Sequence, residues 1–218
     1  MSSPFVTEDY RVFVRFAALF EASLALVAIG LGWLVDVKPD LSAPSLRAVA
    51  IGIAATVPMI GFYAIVSHLP LKSLRQIHDL LLAALGRPLA QCRWHELLLL
   101  ATTAGVCEEL LFRGVLQPWL SSWSAPVGWI GTNLLFGFAH AVTPMYFVIA
   151  ALIGGYLSAA NFLAGSLYAP IIAHTLYDWF AFHQLARAYR KSRNGEGDEA
   201  QHDNVENPHE ESSVQSHE

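Results

Sequence analysis

Long apolar stretches dominate this chain and predict helices that cross a membrane. A helix needs about twenty mostly apolar residues to span a bilayer. Six stretches meet that requirement, at roughly 12–35, 46–68, 94–120, 125–142, 144–163 and 168–186. The pattern therefore predicts an all-α fold, a polytopic membrane helix bundle of about six spans, in which residues 12–68 form the first two transmembrane helices.

The connection between the second and third stretches, residues 69–93, has a different pattern. In the segment LKSLRQIHDLLLAALGRP, apolar residues recur at helical spacing, at Leu71, Leu74, Ile77, Leu81, Leu82 and Leu85. Charged residues occupy the positions between them, which is typical of an amphipathic helix lying in the membrane interface. We expect this helix to be broken at Gly86 and Pro88. A plain soluble connector helix is the alternative.

Both ends of the chain are polar. Residues 1–11 form a short N-terminus, and residues 187–218 form a tail that is acidic and lacks aromatic residues from about Ser192 onwards. Such a composition predicts a disordered tail. Basic residues flank the 69–93 connection and follow the last stretch, and these positions are typically cytoplasmic. We therefore expect both termini to be cytoplasmic in a multi-pass protein.

The composition supports a membrane protein and excludes other classes. Apolar residues make up 54% of the chain and charged residues 14%, well below the roughly 25% charged residues of a soluble domain. Without its tail the chain is close to neutral, which predicts no nucleic-acid partner. Of the two cysteines, Cys92 lies near a predicted membrane edge and Cys107 within a predicted span, a placement that does not indicate a disulfide framework.

The segment GVCEELLFRG places three charged residues inside the third apolar stretch. Charged side chains are rare within membrane helices, and those present usually face the protein interior and mark function. Glu109 and Arg113 are four residues apart, so they share a helix face and can form an ion pair. Glu108 points about 100° away. It has no local partner and is available as a general base.

Two later stretches also carry ionisable residues among apolar ones. His140 ends the stretch LLFGFAH, and His174 and Asp178 share one face in YAPIIAHTLYDWF. Polar groups on three separate spans predict convergence at one site. If all spans were straight and full-length, His140 and His174 would lie at opposite ends of the bundle.

Convergence therefore requires broken or re-entrant segments, which are tolerated at membrane depth only where they are buried or line water. We expect such breaks at Gly105, at Thr143–Pro144 and at Gly165.

Three motifs in this order resemble a known family. They are EE-x-x-x-R (Glu108, Glu109 and Arg113), F-x-x-x-H (Phe136 and His140) and H-x-x-x-N/D (His174 and Asp178). Together they resemble the CPBP family, which comprises type II CAAX prenyl endopeptidases and bacterial bacteriocin-processing or Abi proteins. The resemblance covers about residues 90–186 and implies a catalytic helical core at 94–186.

The resemblance implies an intramembrane endopeptidase in which Glu108 and His140 activate a water molecule. It implies that Glu109 and Arg113 hold the first motif in shape, and that His174 with residue 178 stabilises the oxyanion. Asn is common in the family at position 178, whereas an ionised aspartate repels an oxyanion. Asp178 is therefore expected either to orient His174, leaving that imidazole as the donor, or to bind a metal ion.

The metal dependence implied by the resemblance has two forms. Glu108, His140 and His174 are possible ligands for Zn²⁺, with a fourth position open to water. A mechanism without a cofactor is the alternative. It is slightly favoured, because the chain has no H-E-x-x-H motif and the three groups come from three helices.

The expected substrate is a membrane-embedded or lipidated peptide or protein within the lipid bilayer. The short chain and plain layout favour a bacterial protein of the inner (plasma) membrane. A catalytically inactive member acting as a membrane scaffold or immunity factor is the main alternative. A small transporter is a further one, but it predicts inverted repeats that the sequence does not clearly show.

Overall fold

The computed structural model describes residues 10–206, and the side chains of residues 10–194. Within that range every regular element is helical, which confirms the all-α prediction. The α-helices are α1 (Tyr10–Leu34), α2 (Leu46–His68), α3 (Lys72–Leu81), α4 (Arg87–Gln91), α5 (Trp94–Glu109), α6 (Gln117–Ser121), α7 (Ala125–Ala139), α8 (Pro144–Ala164) and α9 (Tyr168–Glu206). Two π-helical segments, π1 (Leu82–Gly86) and π2 (Leu110–Leu116), join α3 to α4 and α5 to α6.

Three of the helices are long and apolar enough to cross a membrane, namely α1, α2 and α8. They confirm a membrane helix bundle, whereas the number of six spans stays a prediction. Helix α7 has 15 residues and is therefore about 22 Å long. It falls short of the hydrocarbon thickness of about 30 Å.

The predicted breaks at Thr143–Pro144 and Gly165 are confirmed. Thr143 precedes α8, and its hydroxyl accepts a hydrogen bond from the Tyr146 amide at 3.1 Å, which satisfies one free donor of the first turn. Gly165 ends α8 in the left-handed conformation, with φ at 64°, where the absence of a Cβ atom avoids strain. Both ends of α8 are thus specified by local chemistry.

The predicted break at Gly105 is wrong, because this residue lies inside the continuous helix α5. The helix becomes irregular five residues later, where π2 begins at Leu110. Gly105 instead allows α5 to approach α9 closely. A Cβ atom at this position would lie 2.5 Å from Thr175 Oγ1 and 3.0 Å from the Thr175 amide nitrogen. Small residues commonly permit such contacts between membrane helices.

Replacing Gly105 with alanine is expected to push α5 away from α9. Overpacking of this kind destabilises a fold by about 1–3 kcal/mol, and it should also lower activity. Gly61→Ala is the matched control, because a Cβ atom at Gly61 meets nothing within 4 Å and alanine favours the helix. Unfolding of both variants in detergent measures the effect. Equal stability of the two variants would contradict a packing role for Gly105.

The connector and the tail differ from their predictions. Gly86 and Pro88 do not end the helical path: Gly86 has helical dihedral angles, and Pro88 lies in the first turn of α4, where its missing amide hydrogen is tolerated. α3 buries none of its residues. Its apolar residues Leu74, Ile77 and Leu81 are half-buried, and the interfacial location stays a prediction.

Helix α9 continues to Glu206, so residues 187–206 are helical where the sequence predicts disorder. The first part of this extension is docked against the connector. Arg190 donates hydrogen bonds from Nε and Nη2 to the Ala90 carbonyl at 3.1 and 2.7 Å. Amino-acid composition does not predict such contacts between residues that are distant in the chain. Residues 1–9 and 207–218, which include most of the predicted N-terminus and the end of the tail, lie outside the described residues.

Candidate active site

The structure brings together the residues that the sequence singles out on three helices. Glu108 lies near the end of α5, His140 follows α7, and His174 lies in the second turn of α9. Glu108 Oε2 is 3.8 Å from His140 Nε2 and 4.0 Å from His174 Nε2. Asp178 Oδ2 is 3.4 Å from His174 Nε2. One carboxylate thus faces two imidazoles and a second carboxylate lies beside them.

The short helix α7 explains how His140 reaches this cluster. The helix ends at Ala139 and His140 is its C-cap residue. The chain then turns, and α8 begins at Pro144. Because α7 is shorter than a full span, its end lies inside the bundle, at the level of Glu108. The separation expected for straight spans therefore does not arise.

Hydrogen bonds to the other ring nitrogen orient both imidazoles. His140 Nδ1 lies 2.9 Å from the Phe136 carbonyl oxygen, and His174 Nδ1 lies 2.9 Å from Glu109 Oε1. Both partners are acceptors, so each Nδ1 carries a hydrogen and donates it. The Nε2 atoms of both rings are consequently presented to Glu108. The ring of Phe136 also stacks on that of His140, with centroids 4.6 Å apart.

Glu109 and Arg113 form a fully buried salt bridge, with Nη1 2.8 Å from Oε1. The same oxygen, Glu109 Oε1, accepts the hydrogen bond from His174 Nδ1. Glu109 therefore links the ion pair to the imidazole of another helix. Residue spacing predicts only the neighbour four residues away, so the bond to His174 could not be found from the sequence.

Arg113 also ties π2 to α7 and α8. Its Nη2 donates to the Gly154 carbonyl at 2.7 Å and approaches Asn133 Oδ1 at 3.4 Å. Its Nε lies 3.4 Å from Ser158 Oγ, and its guanidinium lies 4.6 Å from the centroid of the Phe136 ring. These contacts satisfy most donors of a buried cation. They also fix α7, the helix that positions His140. Sequence analysis missed Asn133 and Ser158, whose signal is a polar side chain in an apolar span.

Glu108 is one of the described groups with a buried side-chain atom that lacks a hydrogen-bond partner. Its side chain is 10% exposed, and its Oε2 atom is buried with no partner. Most buried polar atoms in folded proteins have one, so such an atom calls for an explanation. The gaps of 3.8 and 4.0 Å to the two imidazoles are distances at which a water molecule commonly bridges. The site opens beside His140 and Asp178, whose side chains are 26% and 20% exposed.

A fourth carboxyl group, Glu21 of α1, also belongs to this cluster. It interacts electrostatically with Asp178, His174 and Glu108, and its Oε2 atom is buried without a hydrogen-bond partner. Glu21 was not among the residues predicted from the sequence. The signal was present, since Glu21 is a lone acidic residue in the first apolar stretch.

The distances between these side chains bear on the zinc prediction. Tetrahedral zinc ligands with bonds of about 2.0–2.1 Å lie about 3.3–3.4 Å from one another, whereas Glu108 is 3.8 and 4.0 Å from the imidazole nitrogens. Within residues 10–194, no three His, Cys, Asp or Glu side chains are arranged to hold a metal ion. The chemical types of these residues suit zinc, and the metal ion stays a prediction. Chelation tests the prediction directly.

Comparison with known proteins agrees with the motifs. Residues 90–180 match the family model described as type II CAAX prenyl endopeptidase Rce1-like, a range that contains Glu108, His140, His174 and Asp178. No curated protein and no solved structure matches the chain. The match confirms the resemblance found in the sequence and, with the apolar helices, identifies a membrane protein. The segment that carries the site, residues 90–180, is thus similar to the Rce1-like type II CAAX prenyl endopeptidases.

Proposed function

We propose that the protein is an intramembrane endopeptidase that hydrolyses a peptide bond of a membrane-associated or lipidated protein or peptide. The observation that carries this proposal is the environment of Glu108. A buried carboxylate oxygen without a partner faces the Nε2 atoms of two imidazoles from other helices. An ionisable group at such a position in a membrane protein is a functional-site hypothesis by default.

The proposed reaction begins with a water molecule between Glu108 and His140. The water donates one hydrogen to Glu108 Oε2 and the other to His140 Nε2, which directs a lone pair at the scissile carbonyl carbon. Glu108 accepts the proton as the new C–O bond forms. The C–N bond then breaks, and the proton passes from Glu108 to the leaving nitrogen.

His174 is proposed to stabilise the oxyanion that forms on the carbonyl oxygen. Its Nδ1 is held by Glu109 at 2.9 Å, so the ring is oriented before substrate binds. Nε2, in its protonated form, is the donor toward the developing charge. Preorganised donors of this kind contribute a large share of catalysis in acyl transfer. Asp178, 3.4 Å from Nε2, is proposed to position the ring and not to contact the oxyanion.

Asp178→Asn is expected to retain activity within about tenfold of wild type. The asparagine oxygen can hold His174, and its amide can donate to the oxyanion. Asp178→Leu removes the polar contact and is expected to lower kcat by about 100-fold, as when one oxyanion donor is lost. Steady-state cleavage of one reporter peptide by both variants provides the comparison. A greater loss in the asparagine variant than in the leucine variant would refute the positioning role.

We further propose that the protein is a multi-pass protein of the bacterial inner membrane with both termini in the cytoplasm. The Arg190–Ala90 hydrogen bonds support this orientation, because they hold the basic connector and the basic start of the tail at one end of the bundle. Basic residues collect on the cytoplasmic side of bacterial membrane proteins.

The proposed function is tested by cleavage of a library of membrane-tethered reporter peptides in liposomes. The protein is used as purified, after exhaustive chelation, and after addition of zinc. Cleavage that survives chelation supports the mechanism without metal. Loss on chelation with rescue by zinc establishes a metalloprotease. Absence of cleavage in every condition would favour the inactive scaffold or immunity factor.

A further inference from the structure

We propose that Glu21 selects substrates that carry a lysine or arginine next to the scissile bond. The inference rests on the proposed endopeptidase function and adds a specificity-determining residue to it. Glu21 lies in α1, outside the segment that matches the family. Its role therefore comes from the structure of this chain alone.

The packing of α1 directs Glu21 toward the site. Leu24 and Ala28, three and seven residues further along α1, pack against Leu111, Phe112 and Val115 in one apolar cluster. Residues at that spacing lie on one face of a helix. Glu21 therefore projects from the buried face of α1 toward the end of α5, and it interacts electrostatically with Glu108 and, across the site, with Asp178.

Only some of the carboxyl groups around the site have a cationic side chain as a partner. Glu109 is compensated by Arg113 at 2.8 Å. In the part of the chain that the structure describes, Glu21 forms no salt bridge, and the only salt-bridge partner of Asp178 is His174. Asp178 at the opening of the site and Glu21 behind it thus have no lysine or arginine to balance them among the described residues.

A cationic substrate residue supplies the missing charge. A lysine or arginine side chain entering beside Asp178 can donate hydrogen bonds to the unpartnered oxygen of Glu21, and charge-assisted hydrogen bonds are stronger than neutral ones. The low dielectric around a partly buried site strengthens the attraction. An acidic residue at the same place meets like charges, so the site also rejects the wrong substrate.

Three membrane-tethered peptides test the inference, differing only in Lys, Gln or Glu beside the scissile bond. Wild type is expected to cut the Lys peptide with a KM about tenfold below that of the Glu peptide, which is the scale of one charge interaction near a protein surface. The preference should fall to about twofold or less in Glu21→Gln and persist in Glu21→Asp, which keeps the charge. Asp79→Asn is the matched control, because Asp79 is 76% exposed on α3 and far from the site in sequence.

The outcomes separate this inference from the proposed function. Cleavage of all three peptides with equal KM, or a preference that survives Glu21→Gln, contradicts the role of Glu21. Either result is still consistent with the proposed endopeptidase function. Absence of any cleavage by the wild-type protein contradicts the proposed endopeptidase function. A second measurement uses the Glu108→Gln protein, which is expected to bind peptides without cutting them. Tighter binding of the Lys peptide, lost in the Glu21→Gln/Glu108→Gln double variant, supports the inference without relying on turnover.

Discussion

Glu108→Gln is expected to abolish peptide cleavage while the helix bundle stays folded. Glutamine fills the same space but cannot accept the proton from the attacking water. Loss of a positioned general base typically costs a factor of about 10²–10⁴ in rate. The expected change is therefore in kcat, and substrate binding should persist. Cleavage of the reporter peptides in liposomes measures the rate, and detergent unfolding verifies the fold.

The control for this variant is Asp79→Asn, which makes the same chemical change on the exposed face of α3. It should cut as fast as wild type. His140→Gln is a second test and should also slow cleavage, because Nε2 of His140 is proposed to hold the same water molecule. If Glu108→Gln turns over at the wild-type rate, the assignment of Glu108 as the base fails, whatever chelation shows.

Arg113→Met is expected to produce the largest loss of stability, about 3–5 kcal/mol. The substitution leaves Glu109 as a buried charge whose side chain is 0% exposed and which has lost its cation. It also removes the hydrogen bonds from Arg113 to Gly154 and Asn133. The free energy of unfolding in detergent provides the measurement.

A double variant separates loss of the charge pair from loss of packing. Glu109→Gln/Arg113→Met removes both charges, and neutral replacement of a buried ion pair is often tolerated. It should therefore be more stable than Arg113→Met alone, yet remain slow in cleavage because His174 loses its carboxylate partner. Arg75→Met on exposed α3 is the control, expected within about 0.5 kcal/mol of wild type. If Arg113→Met unfolds like this control, the buried pair does not brace the bundle.

The sequence allowed the helices and the principal site residues to be predicted for a physical reason. Burying charge in a membrane is costly, so the glutamates of α5 and the histidines after α7 and in α9 stand out against apolar surroundings. Helical spans are likewise recognised from length and composition. The predicted boundaries of α2, 46–68, coincide with the structure. The predicted helix breaks at Gly105, Gly86 and Pro88 are wrong. The intrinsic conformational preference of a residue does not show which residues pack against it.

By itself, the sequence determined that this chain is a helical membrane protein and which ionisable residues interrupt its apolar helices. Only the tertiary structure decided how those residues act on one another. The hydrogen bond from His174 to Glu109 joins residues 65 positions apart, and Glu21 interacts electrostatically with Asp178 and His174 from a helix outside the matched segment. The difference is physical: hydrophobic periodicity is local, whereas the partner of a buried charge is set by the packing of helices that are distant in the chain.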